Sequence, residues 1–344
     1  MTSARWSPAA TVLASLSLAL AACAAPGPSA APPAIAGNPP APAKPGAPDA
    51  AAPVASPPGA APAPPRRAGL RFEIDDRPFP SPLVDAVVGG QPTTLLVDTG
   101  ATHHVVAAWL AAEIAAPVTT AGDVGVDHAG KRVQVSRLEG TGLSLSGWGP
   151  VDAPGLLVIP VPDALRRAGI GGVLSPQSLA AGGRAIVLDL RAGAMTEAPL
   201  DEALRRLAAV QGAALPVELG ACAEPRSGRE LTAPATIDGI PVTLKVDTGA
   251  TQSSLFVATA VRKRLAAGAS KTRSAYAASG KHAVAVREGA TLALGSFTTS
   301  IDIDIIPSAP RQGCPTDGFV GMDVLRGCVL VLAEGRSLAA CAAP

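Results

Sequence analysis

At 344 residues the chain is long enough for one large or two modest domains with real cores. A net charge of +1 excludes a broad electrostatic footprint for nucleic acid or acidic partners, and an aromatic content of 3% excludes stacking platforms for bases or sugars. Much of the apolar fraction is Ala, so the hydrophobic total overstates the material available to build a core.

The first element in the chain is an apolar run, AATVLASLSLALAA, over residues 9–22 behind Arg5. It is short of the roughly 20 residues that a bilayer-spanning helix needs and reads as an export signal over residues 1–22. It ends in Leu20-Ala-Ala-Cys23, which resembles the lipobox of bacterial lipoproteins. That resemblance implies cleavage before Cys23 and lipidation of its thiol, hence a membrane partner through a lipid anchor in a bacterial envelope. Ordinary secretion, with Cys23 as one small residue among many, is the other reading. Residues 24–67 hold 15 of the 35 prolines among Ala and Gly. Such a stretch cannot bury a core, and residues 23–67 read as a tether able to reach on the order of 100 Å.

From Arg71 short alternating apolar runs are broken by Gly, Pro and Asp, the texture of a β-rich fold. Val88–Thr102, VGGQPTTLLVDTGAT, aligns without gaps on Ile237–Thr251, IDGIPVTLKVDTGAT. Each reads as a strand, a turn at Gly89-Gly90 or Asp238-Gly239, and a strand running into Asp-Thr-Gly. Helical runs are expected next, from Val105 and from Leu255. Hairpin turns follow at Gly130 and Gly280, then alternating strands at GLSLSGW and TLALGSF. Last comes an apolar pair before a small residue, Val173-Leu174-Ser175 and Phe319-Val320-Gly321. The repeat predicts two lobes of one architecture, residues 68–198 and 217–344. Between them, 199–216 reads as a connecting helix capped by Asp201.

Four cysteines follow Cys23, an even number in an exported chain, so two disulfides with three possible connectivities are expected. CVLVLAEGRSLAAC reads as a hairpin turning at Glu334-Gly335, which sets Cys328 directly opposite Cys341. Cys222 with Cys314 follows by elimination.

A strand delivering Asp-Thr-Gly at a tight turn, twice, at matching offsets from a hairpin and an apolar-apolar-Gly element, resembles the retropepsin-like and pepsin-like aspartic protease family. The resemblance covers nearly all of the chain after residue 68. It implies an all-β, bilobal aspartic-protease (acid protease barrel) fold with a short helix in each lobe, monomeric, since both motifs lie in one chain. It further implies an endopeptidase acting on an extended peptide, with Asp98 and Asp247 as a catalytic pair sharing one proton and holding a water. No cofactor and no metal enter such a mechanism, and the four histidines form no HExxH pattern. In the family pattern Gly100 and Gly249 let the backbone approach closely and present N–H groups to the carboxylates. The Thr99 and Thr248 hydroxyls would interlock across the lobes. Flaps would form around Gly130 and Gly280, with Tyr276 either in a flap or simply packed.

Ala101 and Ala250 stand where pepsin-like members carry a hydroxyl donor, which predicts activity at mildly acidic to near-neutral pH. Ser175 departs from the family Gly and is expected to fit at modest strain. His103-His104 reads as a partly exposed stretch opening the helical run. The reading from another class is a non-catalytic peptide-binding envelope lipoprotein that retains the fold.

Overall fold

The computed structural model describes residues 65–126, 132–153, 155–210, 215–224, 228–256, 263–265, 267–277, 280–306 and 315–342, together with 16–17 and 21–23. In lobe one, strands Arg77–Val88 and Gln91–Val97 pair antiparallel through a two-residue turn that puts Val88 opposite Gln91. Gly89 and Gly90 both take positive φ, 55° and 85°, the geometry in which a two-residue hairpin follows the strand twist. Asp238 and Gly239, at 49° and 76°, do the same between Gly228–Ile237 and Ile240–Val246 in lobe two.

Each strand that ends in Asp-Thr-Gly lies parallel to a second buried strand. Leu96 faces Val173 and Val97 faces Leu174 in lobe one; Lys245 faces Phe319 and Val246 faces Val320 in lobe two. The segment after each motif then returns antiparallel against that second strand, as Val105–Ala107 and Ser254–Phe256. The approach is so close that a Cβ added at Gly172 would lie 2.1 Å from the Val105 carbonyl oxygen, and one at Gly318 1.9 Å from that of Ser254. These two glycines admit the crossing that aims both Asp loops at the centre of the molecule.

The expected helical runs therefore begin as strands. Val105 and Val106 are β-branched, wholly buried and held between strand partners on both sides, and only Ala108–Glu113 forms a helix. In lobe two Leu255 and Phe256 are likewise strand, and the only described helical residues of that run are 263–265.

Both expected hairpins are present: Val118–Val126 with Arg132–Leu138, and Lys271–Ala277 with Gly280–Leu294. Gly130 lies outside the described residues; Tyr276 stands in the first strand of the second hairpin and Gly280 opens its return strand. Two short strands from the N-terminal region add to the hairpin edges. Ala21–Cys23 runs antiparallel to Val124–Val126, and Leu16–Ser17 runs parallel to Tyr276–Ala277.

The lobes share one sheet. In order it runs Arg67–Gly69, Ala194–Pro199, Arg184–Asp189, Cys328–Ala333, Arg336–Cys341 and Val217–Glu224. The junction is the antiparallel pair of Arg184–Asp189 from lobe one with Cys328–Ala333 from lobe two. Helix Leu200–Ala208 covers this sheet, packing Ala203 and Leu207 against Ala185, Val187, Val329 and Val331. Its N-cap is Pro199, which has no side-chain acceptor. Asp201 lies inside the first turn and bonds Arg205 at 3.0 Å, so it is not the cap. The terminal hairpin has the expected register, with Cys328 opposite Cys341 and a disulfide between them across a Cα–Cα distance of 4.0 Å. Cys222 is also disulfide-bonded; its expected partner Cys314 lies outside the described residues.

Candidate active site

The two Asp-Thr-Gly loops meet across the lobe boundary. The Thr99 backbone N–H donates to the Thr248 hydroxyl at 3.0 Å, and the Thr248 N–H to the Thr99 hydroxyl at 3.1 Å. Each hydroxyl passes its own proton to the opposite strand, Thr99 to the Val246 carbonyl at 2.8 Å and Thr248 to the Val97 carbonyl at 2.7 Å. All of these groups are buried, so this is a fully satisfied polar interlock rather than an orphaned one.

The carboxyls follow from that clasp. A Cβ added at Gly100 would lie 2.5 Å from the Asp247 Cγ, and one at Gly249 2.5 Å from the Asp98 Cγ. Each carboxyl thus rests on the glycine of the other lobe, and only Gly leaves room for it. Gly100 N–H donates to Asp98 Oδ1 at 2.6 Å; in lobe two the matching donor is the N–H of Ala250, to Asp247 Oδ1 at 2.9 Å.

Asp98 and Asp247 are both fully buried, each carboxyl seated against the glycine of the opposite loop. The remaining oxygens, Asp98 Oδ2 and Asp247 Oδ2, meet no donor among the described residues. Burial first, and the neighbouring Asp247 charge second, push the Asp98 carboxyl well above the usual carboxylate range.

Beneath the loops the two lobes solve one problem with different residues. In lobe two the Gly321 N–H donates to Ser253 Oγ at 3.0 Å and the Met322 N–H to the Ala250 carbonyl at 2.8 Å. A Cβ at Gly321 would come within 2.7 Å of the Gln252 backbone. In lobe one the residue after Ser175 is Pro176, which has no N–H to give. The Ser175 hydroxyl, at 2.8 Å, and Gln177 Nε2, at 2.5 Å, bond the Ala101 carbonyl instead. The Ser175 N–H donates to His104 Nδ1 at 3.1 Å. Ser175 is therefore part of a coherent exchange, and its hydroxyl replaces a bond that Pro176 removes.

His104 does not open a partly exposed helical run: it is 6% exposed, lies before the short strand, and supports the Asp98 loop. Burial lowers its imidazole to about 4. His103 is partly exposed and bonds the Thr102 hydroxyl at 2.9 Å. Asp323, bound to both the N–H and hydroxyl of Ser253, is raised by burial to about 6. Lys245 and Glu230 form a buried ion pair at 3.2 Å. A charge at 245 in a strand whose repeat partner at 96 is Leu was the available signal for it. No group of three or more His, Cys, Asp or Glu able to hold a metal occurs among the described residues.

A sequence profile described as aspartyl protease matches this chain twice, over residues 84–175 and 233–324. Each match contains one Asp-Thr-Gly loop and closes just beyond its apolar-apolar strand. The chain belongs to the aspartyl protease family. The doubled match accounts for the repeat of the lobe. No curated protein matches the chain. Among solved structures, it is similar to the basic 7S globulin from soybean, at 11% identity and a TM-score of 0.45, covering 80% of this chain and 94% of that one.

Proposed function

We propose that the protein is an aspartic endopeptidase that hydrolyses peptide bonds with water activated between Asp98 and Asp247. The single observation that carries the reading is the pair of mutually seated, buried carboxyls whose Oδ2 atoms meet no donor among the described residues. Such a pair holds one proton and one negative charge. The ionised carboxyl draws a proton from the water, whose oxygen attacks the scissile carbonyl carbon. The protonated carboxyl gives its proton to the carbonyl oxygen. The resulting diol collapses, the C–N bond breaks, and the amine leaves with a proton from the pair. Because the proton is shared, neither Asp has a fixed role.

An extended peptide suits the two hairpins. Each offers a strand, Val118–Val126 or Lys271–Ala277, to which a peptide can pair by strand addition. Full burial of both carboxyls favours a second reading, a peptide-binding protein without turnover. For the enzyme, the buried pair must become accessible to peptide and water at each cycle. Purified protein assayed on a peptide library separates the two. The enzyme cleaves, loses cleavage on Asp98→Asn and on Asp247→Asn, and is blocked by a statine-type mimic. A binder retains peptide and turns over none in any variant.

The LAAC motif and the disulfides support export and lipid anchoring at Cys23 in a bacterial envelope. Full-length protein made in a bacterium is expected in the membrane fraction and labelled by fatty acid. Cys23→Ser should lose the label; a wild-type chain without label would end that proposal.

A further inference from the structure

Lys245 and Glu230 are 5% and 4% exposed and lie 3.2 Å apart in the interior beside the Asp247 loop. Burying two charges costs several kcal/mol in desolvation, and an apolar pair of similar volume is commonly as stable. Lobe one makes that comparison within the same molecule. By register, Leu83 faces Leu96 as Thr232 faces Lys245, which makes Leu96 and Ser81 the counterparts of Lys245 and Glu230. Both are buried, and the Ser81 hydroxyl donates to the Gly249 carbonyl at 3.4 Å. The fold therefore stands without an ion pair at this place, and lobe two carries one in addition.

Its position explains what the pair acts on. Residues two apart on a strand share a face, so Lys245 points to the side on which Asp247 presents its carboxyl. Glu230 from the adjacent strand bonds Lys245, Asp247 follows it by two residues just past the strand end, and Asp98 across the lobe boundary feels its charge. The residues directly opposite it on the two flanking strands, Thr232 and Phe319, are uncharged. The ammonium charge reaches Asp98 and opposes the effect of burial there. Lobe one offers no equivalent cation, since position 96 is Leu.

We propose that Lys245, fixed by Glu230, is a positioning residue of the carboxyl pair: a buried cation on one side only, which holds a single negative charge on Asp98 and Asp247 inside an otherwise desolvated site. This rests on the endopeptidase reading for its catalytic consequence but not for its electrostatic one. Removing the cation makes the ionised pair harder to form, so the acidic limb of kcat/KM moves to higher pH.

The test gives lobe two the residues of lobe one, Lys245→Leu with Glu230→Ser, and compares Lys245→Arg, which keeps the charge. Two readouts are taken on the full chain: the pH profile of kcat/KM, and a carbon-13 NMR titration of the Asp side chains assigned with Asp98→Asn and Asp247→Asn. Both should move upward by on the order of one pH unit in the charge-free variant and stay in place in Lys245→Arg. Should the charge-free variant not fold, Lys245→Met with Glu230→Gln carries the same comparison with side-chain length kept. A carboxyl titration that coincides with wild type in a folded charge-free variant overturns the inference. A titration that moves while wild type cleaves no peptide upholds it and defeats the endopeptidase reading instead.

Discussion

His104 shows how one side chain can replace another of different chemistry when the backbone geometry is fixed. It stands six residues after Asp98, as Ser253 stands six after Asp247, and each accepts the N–H that follows the apolar-apolar pair. Because Nδ1 accepts, the neutral ring carries its proton on Nε2, which is buried and has no partner among the described residues. Its folded value of about 4 lies below the ordinary 6.5, so the native state favours neutral His104. The sign follows: this stabilisation is present above pH 6.5 and is lost as pH falls through 4. The pH-dependent part amounts to on the order of 3 kcal/mol. Denaturation measured from pH 7 to 4 should show that loss in wild type. His104→Ser should be less stable at pH 7, from the cavity it leaves, yet have a shallower pH slope. Equal slopes would rule this account out. At the same scale, the raised Asp98 carboxyl keeps its proton toward neutral pH.

At the scale of elements, the strand-turn-strand units were legible because their signals are local. Positive φ at Gly89, Gly90 and Gly239 needs Gly, and Asp tolerates it at 238. Alternation on either side then sets the register. The offset from each Asp loop to its apolar pair identified the crossing strands, because Gly172 and Gly318 admit an approach no other residue allows. The segments after the loops were misread because an apolar, Ala-rich run satisfies helix and buried strand alike. Val105–Ala107 becomes strand only through partners on both sides, at Leu157–Ile159 and Gly172–Val173, which local sequence does not contain. Asp201 was misread for the opposite reason. Acidic residues suit both the cap and the first turn, and the backbone at Pro199 decided between them. The exchange of Ser175, Pro176 and Gln177 was invisible as an exchange, since it couples residues to the Ala101 carbonyl across 74 to 76 positions.

For the whole molecule, the terminal hairpin has a particular place. Cys328–Ala333 is both the strand that joins lobe one and the strand that the disulfide fastens to Arg336–Cys341. Replacing both cysteines, Cys328→Ala with Cys341→Ala, should cost about 2–4 kcal/mol of unfolding free energy, read from urea midpoints under oxidising conditions. Reductant should bring wild type toward the variant; equal midpoints throughout would show the bond contributes nothing. The amino-acid sequence by itself determined the duplicated lobe, the two Asp loops and the register of this bridge. Each depends on conformational preferences within a few residues, or on a repeat visible by aligning the chain to itself. Only the tertiary structure decided how the loops clasp through Thr99 and Thr248, where the histidine lies, and that a lysine sits buried in lobe two where lobe one has a leucine. Those outcomes depend on which distant groups share a desolvated volume, where the energy of a charge or a hydrogen bond is set by neighbours that the linear order does not name.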